Sequence, residues 1–220
     1  MTTTTAPSFS KLMTSYRAKA LLLALDNLIN NPERLIKTLS NNQLVNFGRP
    51  NFIHEEQATT WLIELFNTLF TQQNTILVRG NHEPEYFPAT FDQPAKIVFA
   101  HGFFASALHE MSHWCIAGQK RRKLNDFGYW YAPDGRSAQQ QSAFEKVEIK
   151  PQAIECLLTL SCQRPFQVSQ DNLFADFDTS HSTFAADVYD QALDYLSRPS
   201  ALPSDAQLLL FTFLTIHYAL

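Results

Sequence analysis

Three residues whose types and spacing could do chemistry, His109, Glu110 and His113, stand in the pattern H-E-x-x-H. Residues four apart lie on one face of a helix, so both imidazoles could reach a single divalent metal ion. The alternative is that the two histidines only pack within a core, in a protein that binds partners without any metal. The pattern favours a metal centre, because it lies within a stretch whose apolar residues also recur at helical spacing.

Spacing leaves the third metal ligand open, although two imidazoles alone would leave a metal under-coordinated. His101 stands near the start of the predicted helix and is one option. A carboxylate is the other option, and the chain would have to turn back to bring it to the histidines. The acidic candidates downstream are Asp126, Asp134, Glu145, Glu148 and Glu155.

The residues after the motif argue against a zinc peptidase. One common peptidase form continues with glycine and a further histidine, at positions where this chain has Ile116 and Gln119. Two histidines and one carboxylate instead suit Fe(II), because three coordination positions stay open. The H-x-D/E pattern of hydroxylases that use 2-oxoglutarate occurs only at His54-Glu55-Glu56, ahead of a predicted helix, so 2-oxoglutarate is not indicated.

Composition limits the other classes of function. The net charge of -4 and pI near 5.9 give no electrostatic footprint for direct binding of nucleic acid. The three cysteines, Cys115, Cys156 and Cys162, form no CxxC pair, which is typical of reduced thiols in a cytoplasmic protein. The late apolar run at 208–220 is too short to span a membrane.

The elements that must position the motif are predicted from periodicity and turn residues. Residues 103–118 form the motif helix, and Gly118 is its expected end. Before it come a helix at 55–69, strands at 76–79 and 96–100, and a short extended piece at 85–88. After it come a strand or aromatic ledge at 127–131 and helices at 139–148, 152–162, 183–196 and 204–218, with a break expected at Lys150-Pro151.

The predicted fold class is α/β (α+β), with a small mixed sheet backed by helices and the motif helix at its centre. Residues 1–55 are expected to be an N-terminal extension, partly disordered and then helical in two pieces. Residues 56–220 are expected to form the metal-binding catalytic domain.

Longer blocks of sequence accompany the motif in a fixed order. They are His101-Gly102-Phe103, HEMSHWCIAG at 109–118, DFGYWY at 126–131, PDGR at 133–136 and FEKVEIKPQA at 144–153. Together they resemble the elongation factor P hydroxylase family over roughly residues 61–196. The first 55 residues lie outside the resemblance, and the C-terminal helix matches it poorly.

The resemblance implies a non-haem metal hydroxylase that acts on translation elongation factor P after one of its lysines has received a β-lysyl group. On matching positions, the implied metal ligands are His109, His113 and Glu148. The implied metal is Fe(II), with molecular oxygen as co-substrate. The implied fold is similar to that of a bacterial ribosomal-RNA processing metalloenzyme.

The resemblance also bears on the residues around the metal. Glu110 would orient a ligand or a water in a hydroxylase, whereas a zinc-dependent hydrolase, peptidase or nuclease, would use it as general base. The hydrolase is the alternative function. The residues expected to contact a lysyl chain or its ammonium groups are Asp126, Tyr129, Tyr131, Asp134, Arg136 and Glu145.

Overall fold

Helices dominate the chain, as seen in a computed structural model that describes residues 7–30, 47–128, 135–172, 177 and 182–218. The helices are α1 (Ser15–Ile29), α2 (Glu55–Leu69), α3 (Phe104–Arg121), α4 (Ala138–Ser161), α5 (Phe184–Ser197) and α6 (Ser204–Tyr218). The strands are β1 (Thr75–Arg79), β2 (Glu85–Phe87) and β3 (Ala95–Phe99). Short 3-10 turns lie at Phe9–Lys11, Thr71–Gln73, Ala100–Gly102, Asn125–Gly128 and Pro199–Ala201.

The three strands form one mixed sheet in the order β1-β3-β2. β3 pairs in parallel with β1 and antiparallel with β2, and Ile97 is in register with both Leu77 and Tyr86. These three side chains are buried on one face, as expected for strands whose side chains alternate between a core and solvent. The mixed α/β class predicted from the sequence is therefore confirmed.

The motif helix α3 follows β3 after one 3-10 turn and packs against β3, α2 and α4. Its first turn is capped from α2, because Glu55 Oε1 accepts a hydrogen bond of 2.6 Å from Phe104 N. Leu108, Met111 and Trp114 are buried along the packed side of α3. The amphipathic pattern thus fixes which face of α3 enters the core.

Gly118 interrupts the regular geometry of α3, where the sequence predicts its end. It has φ +62° and ψ 175°, a backbone conformation that glycine adopts without a side-chain penalty. The last turn then continues to Arg121, whose Nε donates to the carbonyl of Phe127 at 2.8 Å. That bond ties the end of α3 to the following 3-10 turn.

The predicted break at Lys150-Pro151 is wrong, because α4 runs unbroken from Ala138 to Ser161. Proline deprives the carbonyl four residues earlier of its partner, and that residue is Val147, which is half exposed to solvent. The lost hydrogen bond therefore falls on the solvent-facing side of α4. The residues that follow, including Ile154 and Leu157, are fully buried and hold the second half of α4 against the core.

The aromatic stretch after α3 is not a strand where the structure describes it. Phe127 and Gly128 lie in a 3-10 turn, and Phe127 has a φ of +57°. Its ring is buried and stacks on Tyr86 of β2, with centroids 4.1 Å apart. Local turn geometry and this contact outweigh the strand propensity of the aromatic residues. The rest of the stretch, residues 129–131, lies outside the described residues.

Helix α1 belongs to the same core as the rest of the chain. Leu21 and Leu25 are buried in the hydrophobic cluster, and α1 packs on α6, which is buried along almost its whole length. The domain boundary at residue 55 stays a prediction, although α1 shares a core with the catalytic part. The second helical piece predicted before residue 40 lies outside the described residues.

Two further observations concern the cysteines and the hydrophobicity of the helices. The three cysteines are free and buried, as predicted. Within the part of the chain that the structure describes, no helix has both the length and the apolar character needed to cross a membrane.

Candidate metal centre

Helices α3 and α4 bring two histidines and one glutamate together. His113 Nε2 lies 3.1 Å from His109 Nε2 and 3.2 Å from Glu148 Oε1, and His109 Nε2 lies 3.7 Å from Glu148 Oε2. One ligand atom from each residue falls within 4.8 Å of the other two. Among the described residues, this is the one group of three or more histidine, cysteine or acidic side chains with such geometry.

The donor set fits a divalent metal ion. Glu148 is 4% exposed, and its Oε2 is buried without a hydrogen-bond partner in the structure. An unpaired buried carboxylate oxygen is costly, and a cation between the three ligand atoms would satisfy it. Two imidazole nitrogens and one carboxylate suit Fe(II) or zinc, with coordination positions left open.

Charges across the site shift the pKa values of the ligands. Burial raises the pKa of Glu148, but the neighbouring imidazoles and the hydrogen bond from His113 lower it by a larger amount. The pKa of Glu148 is therefore below its ordinary value. Burial lowers the pKa of His109, but the hydrogen bond to Glu155 and the surrounding carboxylates raise it more. Each group thus stabilises the charged form of the other, and a metal ion would compete with these protons.

Glu155 makes the strongest polar contact of His109. Its Oε2 lies 2.8 Å from His109 Nδ1, on the side of the ring away from His113 and Glu148. Glu155 was one option for the third ligand from spacing, but the structure places it behind the ring of His109. The sequence contained one sign of this contact. Glu155 follows Glu148 by seven residues, which is about two helical turns, so both carboxylates are expected on the same face of a helix.

Glu110 lies close to both histidines and is partly buried. Burial raises the pKa of its carboxyl, partly offset by the nearby imidazoles of His109 and His113. It does not belong to the group of three ligand atoms. Its role, as support for a ligand or as general base, stays a prediction.

His101, the other option for a third ligand, lies apart from the cluster. It is exposed in the 3-10 turn before α3 and has a φ of +52°. Its ring instead faces Phe103, with centroids 6.2 Å apart.

Two of the predicted substrate-contacting residues belong to one hydrogen-bonded network at the start of α4. The guanidinium of Arg136 is buried, stacks over Phe144 and donates to Gln141 and to the carbonyl of Asp171. Glu145 accepts hydrogen bonds from Gln141, Gln170 and Ser182. Glu145 precedes Glu148 by one helical turn, which places this network beside the metal ligands.

Asp126 lies elsewhere, at the edge of the sheet, where its Oδ1 accepts a hydrogen bond of 2.8 Å from Tyr86 N. Tyr129, Tyr131 and Asp134 lie outside the described residues. Substrate contact by any of these six predicted residues stays a prediction.

The fold and the three converging side chains define a mixed α/β protein with a candidate two-histidine, one-carboxylate metal centre. Comparison with known proteins gives the family. A family model described as elongation factor P hydroxylase matches residues 65–219, and the chain belongs to that family. The match includes α6, whereas the resemblance of the sequence blocks extended only to about residue 196.

A curated relative is similar to about two thirds of this chain. A Haemophilus influenzae protein named elongation factor P lysine hydroxylase is 46% identical over 150 residues, which cover 67% of this chain and 83% of the relative. The particular likeness to a ribosomal-RNA processing metalloenzyme stays a prediction.

Proposed function

We propose that the protein hydroxylates translation elongation factor P on a lysine that carries a β-lysyl group, using Fe(II) and molecular oxygen. The observation that carries this proposal is the convergence of His109, His113 and Glu148 within 4.8 Å in a chain of this family. The name of the Haemophilus influenzae relative supports the choice of elongation factor P lysine as the substrate.

His109, His113 and Glu148 would hold the metal. Fe(II) bound there would supply the activation of molecular oxygen, since a facial set of three protein ligands leaves positions for oxygen and substrate. The protein's own contribution is to fix the ligand geometry and to limit the access of water. Glu148 is 4% exposed, so its carboxylate is already shielded from water within the protein.

Glu110 has a supporting role in this proposal. Its carboxyl is partly buried and lies near both imidazoles, where it can accept a hydrogen bond that orients a bound water or a ligand. The same placement would serve a general base in a zinc-dependent hydrolase, which is the second candidate function. Metal analysis of protein purified without oxygen separates the two, because the proposal requires iron and the alternative requires tightly held zinc.

The decisive experiment is the intact mass of β-lysylated elongation factor P before and after incubation with this protein, Fe(II) and oxygen. The proposal predicts the gain of one oxygen atom. Elongation factor P without the β-lysyl group is the matched substrate control and should gain none. No mass gain on the β-lysylated factor, with iron bound to the protein, would refute the function.

A further inference from the structure

We propose that Glu155 is a positioning residue: it accepts a hydrogen bond from His109 Nδ1–H and thereby directs His109 Nε2 to the metal. The inference rests on the metal centre of the proposed function and adds a residue to it. Glu155 is not a ligand in this arrangement, and it acts only through the imidazole of His109.

The two nitrogens of His109 face different partners. Nε2 lies 3.1 Å from His113 Nε2 and 3.7 Å from Glu148, so it is on the ligand side of the ring. Nδ1 lies 2.8 Å from Glu155 Oε2, so it is on the opposite side. A half-turn of the ring about Cβ–Cγ would place a carbon atom against Glu155 and another carbon atom where Nε2 faces His113 and Glu148, so both contacts depend on this ring orientation.

A carboxylate can only accept a hydrogen bond, so its contact with a neutral imidazole requires the proton to lie on Nδ1. The lone pair is then on Nε2, which is the form that binds a metal ion. Such an outer carboxylate also increases the basicity of the ligating nitrogen. Glu155 is well placed for this effect, because its side chain is only 13% exposed and water competes weakly for the bond.

Helix α4 supplies both carboxylates from one face. Glu148 and Glu155 are seven residues apart, which is close to two helical turns. Pro151 lies between them, and the helix continues through it without a break. A break at Pro151 would uncouple the two carboxylates, so the continuous helix is what allows one element to supply a ligand and its support.

The two histidines differ in this respect. His109 has Glu155 behind its ring, whereas no hydrogen bond from a described residue reaches Nδ1 of His113. The effect of removing Glu155 should therefore act on one of the two imidazole ligands.

Metal affinity tests the inference without reference to hydroxylation. Co(II), followed by its visible absorption, and Fe(II), added without oxygen, are the probes for full-length wild-type protein and three variants. Glu155→Ala should weaken binding of either metal about 10- to 100-fold. Glu155→Gln keeps an acceptor oxygen without the charge, and its loss should be smaller than that of Glu155→Ala.

Glu64→Gln is the matched control, because it makes the same change on an exposed face of α2 and should leave affinity unchanged. Circular dichroism checks that each variant is folded. Wild-type affinity in folded Glu155→Ala would overturn the inference.

A second measurement needs no substitution and so does not depend on whether a variant folds. In wild-type protein loaded with Zn(II), nitrogen-15 correlation spectra of the imidazoles should show His109 with its proton on Nδ1. Through-bond correlation of each imidazole with its own backbone amide assigns the signal of His109 without a substitution. A metal-bound Nδ1 or a proton on Nε2 of His109 would overturn the inference. Absence of hydroxylation with intact metal binding would instead refute the proposed function and leave the role of Glu155 standing.

Discussion

His113 Nε2 and Glu148 Oε1 approach to 3.2 Å across the contact between α3 and α4, although they lie far apart in the sequence. This contact joins a motif that is visible in the sequence to a carboxylate that spacing does not select. The unpaired Glu148 Oε2 beside it makes a bound cation the simplest way to satisfy the buried group.

Removal of one ligand should abolish metal binding. In His113→Ala, iron content after anaerobic loading should fall to background and hydroxylation should be lost, because two ligands hold Fe(II) poorly. The matched control is His82→Ala, an exposed histidine in the turn between β1 and β2. Metal analysis and the mass of elongation factor P measure both effects, and a fully active His113→Ala protein would refute the site.

Neutralising Glu110 should separate the two candidate functions. Glu110→Gln keeps the size of the side chain, so metal content should stay unchanged and hydroxylation should fall by about tenfold. If Glu110 were the general base, its neutralisation would instead lower the reaction rate by a factor of about 10² to 10⁴. Turnover measured at saturating metal therefore decides the role, and loss of all activity with metal retained would contradict the supporting role.

The ion pair between Arg122 and Asp205 should contribute strongly to stability. Arg122 Nη2 lies 2.6 Å from Asp205 Oδ2, its guanidinium stacks on Trp114 at 3.5 Å, and both charged side chains are nearly buried. Asp205→Ala leaves the arginine without its carboxylate, which should lower the free energy of unfolding by about 3 kcal/mol. Urea denaturation measures the change.

The control for this pair is Asp194→Ala, which breaks an equally short ion pair with Arg198 on the exposed surface. Exposed pairs are screened by water, so its free energy of unfolding should change little. Equal losses in the two variants would contradict the importance of burial.

His217 should make the fold sensitive to mild acid. It is 3% exposed on α6, and burial together with the charge of Arg49 lowers its pKa to about 4. An unfolded histidine titrates near pH 6.5. Below about pH 6.5 the unfolded chain binds a proton on His217, whereas the folded chain keeps this imidazole neutral until the pH is near 4. The free energy of unfolding is therefore at its full value above about pH 6.5 and decreases as the pH falls towards 4.

The free energy of unfolding should decrease by on the order of 3 kcal/mol between about pH 6.5 and pH 4. His217→Phe keeps a ring to stack on Phe52, whose centroid lies 5.9 Å away, and removes the titrating group. Urea unfolding at pH 7 and pH 5 should show a smaller acid loss in the variant than in the wild-type protein. Identical losses in the two proteins would show that other groups cause the acid sensitivity.

Arg136 tests whether the network at the start of α4 serves the substrate or the fold. Arg136 is 2% exposed and its guanidinium bonds within its own chain. Arg136→Met removes the donor to the buried Gln141 Oε1 and should lower the free energy of unfolding by about 3 kcal/mol. Substrate contact, as predicted from the sequence, would in addition raise the KM for elongation factor P. Urea denaturation and KM measured side by side distinguish these roles.

The local elements were predictable because their patterns are local. The bounds of α2, the start of α3 and the strands β1 and β3 follow from apolar periodicity, and the H-E-x-x-H spacing places two imidazoles on one face of a helix. The break expected at Pro151 was wrong because tertiary packing of the buried second half of α4 offsets one lost hydrogen bond. Phe127 lies in a 3-10 turn and not in the predicted strand or aromatic ledge, because its ring packs on Tyr86.

The sequence by itself predicted two of the candidate metal ligands and determined the mixed α/β class, since both depend on spacings within single elements. Spacing could not rank the five acidic candidates for the third ligand, and only the resemblance to a family selected Glu148. The tertiary structure alone decided that Glu148 meets His113 while Glu155 meets Nδ1 of His109. The physical reason is that the packing of α4 against α3, and not the order of residues, sets which carboxylate faces which side of an imidazole.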